Sequence, residues 1–304
     1  MMKKPLYIIA GPTAAGKSAL AVELAKKLDG EIISGDSMQV YRGMNIGTAK
    51  IRPEEMQGIP HHLIDCVDPW EEWNVARFTE LARQTAEEIW KRGRIPIVAG
   101  GTGFYLHALA YGAEFTSEET GGSCRRKLEE TAAAEGGPQE LYHRLMEADP
   151  EAAERIHPNN VKRVIRALEF FLQTGHRISE HNDEQKQKES PYELHYNVLS
   201  MDRERLYERI DRRVDEMMRA GLVEEVQGLL RQGCERSMVS MQGLGYKEII
   251  AYLAGETTLE EAVYILKRDT RHFAKRQLTW FRREEAHWIL RGEEELDTLV
   301  GQVQ

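Results

Sequence analysis

An α/β fold, with helices on both faces of a parallel sheet and a small all-helical domain inserted, is predicted by three features of this 304-residue sequence. Short apolar runs alternate with helix-length amphipathic segments over its first third, which is the pattern of strand–helix–strand units. Gly11-Pro12-Thr13-Ala14-Ala15-Gly16-Lys17-Ser18 fits G-x-x-x-x-G-K-[ST] at every fixed position. That pattern marks a P-loop NTPase-like sheet when, as here, an apolar run precedes it and a helical segment follows. Finally, a polar, helix-rich stretch with no strand character separates two parts of the α/β pattern. The expected organisation is a first core part over 1–113, a helical insert over 114–195 and a second core part over 196–304.

Leu6–Ala10 is short and wholly apolar, as a buried parallel strand should be. Ser18–Leu28 reads as a helix, with Leu20, Leu24 and Leu28 at four-residue spacing. Glu31–Ser34 is a second strand, Phe78–Trp90 a helix ending near Gly93, and Ile95–Ala99 a third strand running into Gly100-Gly101-Thr102-Gly103. In the insert, loops are signalled at Gly121-Gly122 and Gly136-Gly137-Pro138. Strand character returns at Tyr196–Leu199. Helices then read over Arg203–Ala220, Leu222–Arg231, Tyr246–Leu253 and Thr258–Arg283, before a last strand, His287–Leu290, and a charged tail.

The formal net charge of −9 argues against indiscriminate nucleic-acid binding but not against a local basic surface. No apolar run approaches the roughly 18 residues of a membrane span. Cys66, Cys124 and Cys234 are far apart and form no CxxC pair, which argues against a disulfide scaffold or a structural zinc site and fits a reducing, cytoplasmic setting.

The loop chemistry is specific. Its glycines let successive N–H groups face a diphosphate at a helix N-terminus. Lys17 adds a mobile cation, and the Ser18 hydroxyl can hold Mg2+. Asp36 and Thr102 follow the second and third strands and so share the carboxyl edge of the sheet with this loop. On pattern alone each also reads as a cap or turn residue. The strand Ile95–Ala99 ends in glycines rather than the carboxylate usual in P-loop ATPases, which disfavours ATP hydrolysis. The adjacent His61 and His62 point to opposite sides of a strand and so favour structural roles over joint ligation of one ion.

In Lys267–Arg283, Lys267, Arg268, Arg271, Lys275, Arg276, Arg282 and Arg283 face one acid, Asp269. At about 100° per residue these cations gather on one half of the helix, with Leu266, Phe273, Ala274, Trp280 and Phe281 on the other. The unbalanced sign favours RNA contact over a merely solvated face. From Asn160 onward, Val161, Val164, Ile165, Leu168 and Leu172 form a packing stripe, and Lys162, Arg163 and Arg166 lie off it.

Asp36-Ser37-Met38-Gln39-Val40-Tyr41-Arg42-Gly43-Met44 with Ile46–Lys50, Gly11–Ala14, His61–Asp65, Gly100–Gly103, Asn160–Leu168, Gly245–Glu248 and Ala274–Arg282 together closely resemble the bacterial tRNA dimethylallyltransferases, also called tRNA isopentenyltransferases. Asn45 and Ile51 depart from it, standing where the family usually has Asp and often Pro. The resemblance implies transfer of a dimethylallyl group from its diphosphate to N6 of the adenosine beside the anticodon. It implies that Gly11–Ser18 holds the donor diphosphate, with Thr13 and Lys17 stabilising it and Ser18 holding Mg2+. Asp36 is then the general base, and Asp36–Gln39 with Thr102 hold the adenosine. Arg213 is a candidate for the diphosphate, although surface solvation fits it equally. Asn159–Arg163 (Asn159, Asn160, Val161, Lys162 and Arg163) are carried over as tRNA contacts, and Arg271 and Lys275 of the cationic helix face are expected contacts on charge, a reading the resemblance strengthens. Arg125 or Arg126 is a candidate to flank the anticodon loop. The expected partners are a tRNA anticodon stem-loop and dimethylallyl diphosphate, with no membrane, and the chain is expected to be a monomer. Rival readings are a P-loop kinase for a small metabolite, a prenyltransferase for free AMP or ADP, and a non-catalytic RNA-binding module. The first and second leave the basic C-terminal helix without a purpose, and the third leaves the complete P-loop with an acid on its rim unexplained.

Overall fold

The structure, a computed structural model, describes residues 3–113, 123–186, 188–292 and 296–304. Its chain divides into two compact units, Met1–Ala110 with Pro191–Gln304, and Tyr111–Ser190. The loop signal at Gly121-Gly122 lies outside the described residues.

The first unit opens with β1 (Pro5–Ala10), α1 (Lys17–Leu28), β2 (Gly30–Ser34), a short α2 (Pro53–Met56), β3 (His61–His62), α3 (Val75–Lys91), β4 (Ile95–Gly100) and α4 (Gly103–Ala110). The second unit is α5 (Ser123–Ala133), α6 (Gly137–Ala148), α7 (Pro150–Arg155), α8 (Val161–Thr174) and α9 (Ile178–Lys186). The first unit resumes with β5 (Glu193–Met201), α10 (Arg203–Arg219), α11 (Leu222–Arg231), α12 (Tyr246–Leu253), α13 (Leu259–Phe281), β6 (His287–Arg291) and α14 (Leu296–Val300).

The six strands form one parallel sheet in the order β3-β2-β4-β1-β5-β6. Besides the short α2, two further elements departed from the sequence expectation. His61–His62 is a short edge strand beside β2, and the charged tail contains α14. Neither carries a strong local signal, since two residues show no alternation and five show no helical period. Strand β5 also runs longer than Tyr196–Leu199 at both ends, because Glu193–His195 pair with β1 from Pro5 onward and Ser200–Met201 pair with β6.

Registry positions the site. Ala10 pairs with Gly100 and with Val198, and Ser34 pairs with Ala99. The chain segments after β1, β2 and β4 therefore leave the sheet side by side at its carboxyl edge, where open α/β sheets bind ligands. Beneath that edge Leu20, Val22 and Leu24 of α1 pack on Ile9, Ile32, Ile97 and Leu199. Above it Met201, Leu206, Ile210 and Ala274 close over Ala14, so α10 and α13 are packed directly onto the glycine-rich loop. The helical unit has its own core of Leu128, Leu141, Leu145, Val164, Ile165 and Leu168. Its α7 is capped by Asp149, which accepts from Ala152 N–H and from both the N–H and the hydroxyl of Ser179 at the start of α9.

Candidate active site

The loop between β1 and α1 bends where its sequence lets it. Gly16 has φ +100°, and a Cβ there would sit 1.6 Å from the Arg291 guanidinium. The guanidinium could move aside, but the positive φ strains any L side chain, so the position favours glycine. Arg291 donates to Ala15 O at 3.0 Å, and Arg209 of α10 donates to Ala14 O at 2.8 Å. These two arginines hold the carbonyls on the outside of the loop. Lys17 is curled back, its Nζ donating to Pro12 O at 2.7 Å. Burial pushes its pKa down to about 8, with the Asp36 charge working in the other direction and Arg213 adding to the depression.

Arg213 is not on the solvated side of α10. It lies part-buried with one guanidinium nitrogen 3.5 Å from Thr13 Oγ1, and burial lowers its pKa. Ser18 is exposed at the start of α1.

Asp36 combines the two readings its position allowed. Its Oδ1 accepts from the N–H groups of Met38 (2.8 Å) and Gln39 (3.3 Å), the work of a turn-capping aspartate. One oxygen fixes the carboxylate and the other, Oδ2, accepts no hydrogen bond from the described residues. Thr102 accepts from Ser37 N–H at 3.1 Å and reaches Ser37 Oγ at 3.3 Å, tying the β4–α4 turn to the turn after β2. Gln39 reaches the Thr48 and Ala49 carbonyls. The structure thus brings Gly11–Ser18, Asp36–Gln39, Thr102 and Arg213 to one edge.

Several residues that build this edge were not legible in the sequence. Glu225 of α11 accepts from Asn45, Ile46 and Gly47 N–H at 2.8–3.1 Å and from the Tyr246 hydroxyl at 2.7 Å. Burial, then the Glu225 charge, raise the Tyr246 pKa far above that of a free phenol. Lys50 donates to Tyr41 O and Asn45 Oδ1 and pairs with Asp65. Asn45 therefore acts as a neutral acceptor for a buried ammonium that already has its carboxylate. Gln277 bridges the phosphate loop and the β4–α4 turn.

The two histidines serve the frame. His62 meets Glu31 at 2.6 Å, and Arg92 and Arg94 reach the same carboxylate. Burial pushes the Glu31 pKa up, but the hydrogen bonds from Arg92 and His62 outweigh it and hold it at about 2. His61 Nδ1 lies 2.8 Å from Ile59 O. Among the described residues no cluster of three or more His, Cys, Asp or Glu could hold a metal ion.

The expected RNA-facing cations divide into two groups. Lys275, Arg276, Arg282 and Arg283 are exposed on α13 and just beyond it, and Asn159, Asn160, Lys162 and Arg163 are exposed at the start of α8, where Val161 is half-buried in the helical core. Arg271, expected on the open face, is instead part-buried in an ion pair with Asp211 of α10, and Lys267 pairs with Asp215 at 2.6 Å. Arg125 is held by Glu129 and the fully buried Glu169, whereas Arg126 is exposed.

The family model described as IPP transferase matches residues 39–284, most of the chain, and one described as isopentenyl transferase matches residues 4–66. The chain belongs to the IPP transferase family. It is 58% identical over 282 residues to a tRNA dimethylallyltransferase of Lachnoclostridium phytofermentans, covering 93% of this chain and 90% of that one. A relative of the same name from Acetivibrio thermocellus is 52% identical, over 97% and 94% of the two chains. The crystal structure of the tRNA isopentenylpyrophosphate transferase of Bacillus halodurans is similar at TM-score 0.74 and 46% identity, over 99% and 94%. A eukaryotic dimethylallyltransferase captured acting on tRNA is similar at TM-score 0.82 and 33% identity, over 94% of this chain and 74% of that one. Among the described residues of this IPP transferase family member, no helix is long and apolar enough to cross a membrane.

Proposed function

We propose that this chain transfers a dimethylallyl group from dimethylallyl diphosphate to N6 of the adenosine on the 3′ side of the anticodon in tRNA, releasing diphosphate. The observation that carries the reading is the shared edge. A diphosphate-binding loop lies beside a carboxylate with one oxygen fixed and one oxygen open.

In this reading the loop N–H groups, Lys17, Thr13 and Arg213 hold the donor diphosphate. The bond from the allylic carbon to the diphosphate oxygen breaks, and its electron pair leaves with the diphosphate. The same donors stabilise the charge as it develops there. The adenine N6 lone pair forms the new carbon–nitrogen bond. An arylamine nitrogen is a weak nucleophile and must shed a proton, which Asp36 Oδ2 takes as general base. Ser37, Met38, Gln39 and Thr102 hold the base in place. The donor set fits one Mg2+. An exposed Ser18 hydroxyl at the loop, with no cluster of three or more His, Cys, Asp or Glu among the described residues to cage an ion, suits an ion that keeps most of its waters and binds through substrate phosphates. When bound, Mg2+ neutralises charge on the departing diphosphate. Exposed Asn159–Arg163 and the α13 cations Lys275 and Arg276 supply contacts to the tRNA backbone. A cytoplasmic monomer completes the proposal.

The test is incubation with labelled dimethylallyl diphosphate and unmodified tRNA, followed by mass analysis of the nucleosides. Prenylated adenosine, formed without ATP cleavage, is the expected product. Phosphorylated product with stoichiometric ATP loss would establish the kinase reading instead.

A further inference from the structure

We infer that Gln277 is a positioning residue for the transfer step, one carboxamide that sets the spacing between the donor loop and the acceptor turn. The inference rests on the prenyl-transfer reading and deepens it. Gln277 lies on the apolar half of α13, four residues from Phe273 and from Phe281, and is 6% exposed. A buried glutamine there is unfavourable unless its donor and acceptor are both used. Both are. Oε1 accepts from Thr13 N–H at 2.9 Å, and Nε2 donates to Gly101 O at 2.8 Å.

The location of these two bonds is the telling feature. Strands β1 and β4 are neighbours paired up to Ala10 and Gly100. Beyond that pair the two chains diverge, one into the phosphate loop and the other into the β4–α4 turn. Gln277 fills the gap with an amide that accepts from one chain and donates to the other, as a peptide group between them would. It extends the ladder past the point where the backbones can reach each other. Gly101 is shaped for this, since a Cβ there would lie 2.3 Å from Gln277 Nε2.

The bridge then continues. Gly101 is followed by Thr102, whose hydroxyl accepts from Ser37 N–H, and Ser37 follows Asp36. From Thr13 through Gln277, Gly101, Thr102 and Ser37 there is a hydrogen-bonded path from the donor cradle to the proposed base. It crosses no exposed side chain rotor, and Gln277 is its one contribution from outside the sheet edge. Gln277 touches neither reacting atom in the reading above. Its effect is on geometry, and geometry errors of about 1 Å in such a site cost about 10²-fold in rate.

The experiment uses the full-length protein and three variants, Gln277→Met, Gly101→Ala and the double variant. Methionine keeps the unbranched shape and removes both hydrogen bonds. The alanine methyl displaces the carboxamide while leaving it present. Binding of inorganic diphosphate and of tRNA is measured separately by calorimetry, thermal melting controls for folding, and single-turnover prenylation gives the transfer rate. Each single variant should lower the transfer rate about 10- to 100-fold while diphosphate and tRNA affinity stay within about threefold. The double variant should be no slower than the worse single one, because both act through the same bridge. Multiplied defects in the double variant, or a rate loss matched by lost diphosphate affinity, would overturn the inference, as would unchanged transfer in either folded single variant. Should Gln277→Met fail to fold, Gly101→Ala decides by the same comparison. If the wild-type protein does not prenylate tRNA at all, it is the proposed function that falls.

Discussion

At Asp36 the division of labour between two oxygens makes a sharp expectation possible. Asp36→Asn keeps an oxygen to accept from Met38 and Gln39, so the turn should hold and tRNA and diphosphate binding should stay near normal. Turnover should fall about 10²–10⁴-fold, the range for a lost general base. Steady-state and binding measurements on one preparation check it, and turnover within a few-fold of wild type would remove Asp36 from that role. Lys17 carries a pH expectation. Its pKa in the ligand-free protein is depressed to about 8, so the cation is present below that pH and lost as pH rises through it. A bound diphosphate restores the proton. Inorganic diphosphate should therefore bind with proton uptake near pH 8–9, read by calorimetry in two buffers of different ionisation enthalpy, and the uptake should vanish in Lys17→Met. Glu31 shows the opposite sign. Its folded pKa of about 2 lies below its ordinary value of 4.5, so its contribution to stability is complete above that ordinary value and lost as pH falls toward 2.

Among the elements, α13 has two working faces that demand separate tests. Arg271 points into α10 and Lys275 and Arg276 into solvent. Reversing Lys275 and Arg276 together should reduce the slope of log tRNA affinity against log salt by roughly 1 to 2, because fewer phosphate counterions are released. Reversing Arg271 should instead set like charges against each other at Asp211 and show as a lower melting temperature. The segment after Met44 depends on α11 in a similar way. Glu225→Ala would strip an acceptor from three backbone N–H groups and the Tyr246 hydroxyl. A loss of about 1–3 kcal/mol is expected in denaturant titration, with the KM for tRNA raised more than that for the donor, since Gln39 leans on Thr48 and Ala49. The phosphate loop, Asp36 and Thr102 were legible in the sequence because their chemistry is local, a spacing or a strand end. Glu225, Gln277 and Arg291 were not. The backbone groups they bind lie 176 to 276 positions away, and a lone polar residue on a packing face looks like tolerated noise until its partner is known. On the helical wheel Phe273 and Trp280 were assigned to the packing face. Both are only half-buried, while Gln277 between them is buried. An aromatic is valued by the wheel for its area, whereas here the hydrogen-bond demand of the loop decided which side chain went inside.

For the whole molecule, the net charge of −9 means that affinity for RNA has to come from local cationic surfaces rather than from bulk attraction. Such surfaces are too extended for one nucleotide to cover. An adenine must also leave its stack to reach the edge, and binding energy from remote contacts is what offsets that cost and supports turnover. An isolated anticodon stem-loop should thus be a good substrate and AMP one with catalytic efficiency lower by several orders of magnitude. Side-by-side kinetics check it, and comparable efficiencies would favour the free-nucleotide prenyltransferase.

Strand order also sets a timetable for synthesis. The central strand β1 takes one neighbour, β4, about ninety residues later and the other, β5, only after the whole helical unit has been made. The described residues of Tyr111–Ser190 form a compact unit with a hydrophobic core of its own. On a ribosome adding about 5–20 residues per second, the helical unit can be native while one hydrogen-bonding edge of β1 still waits for its partner. Nascent chains arrested once residue 190 has emerged from the ribosome should therefore yield a protease-resistant helical fragment and a protease-sensitive N-terminal third. Chains released beyond β6 should protect both. The edge where the chemistry is proposed would be among the last parts of the protein to exist.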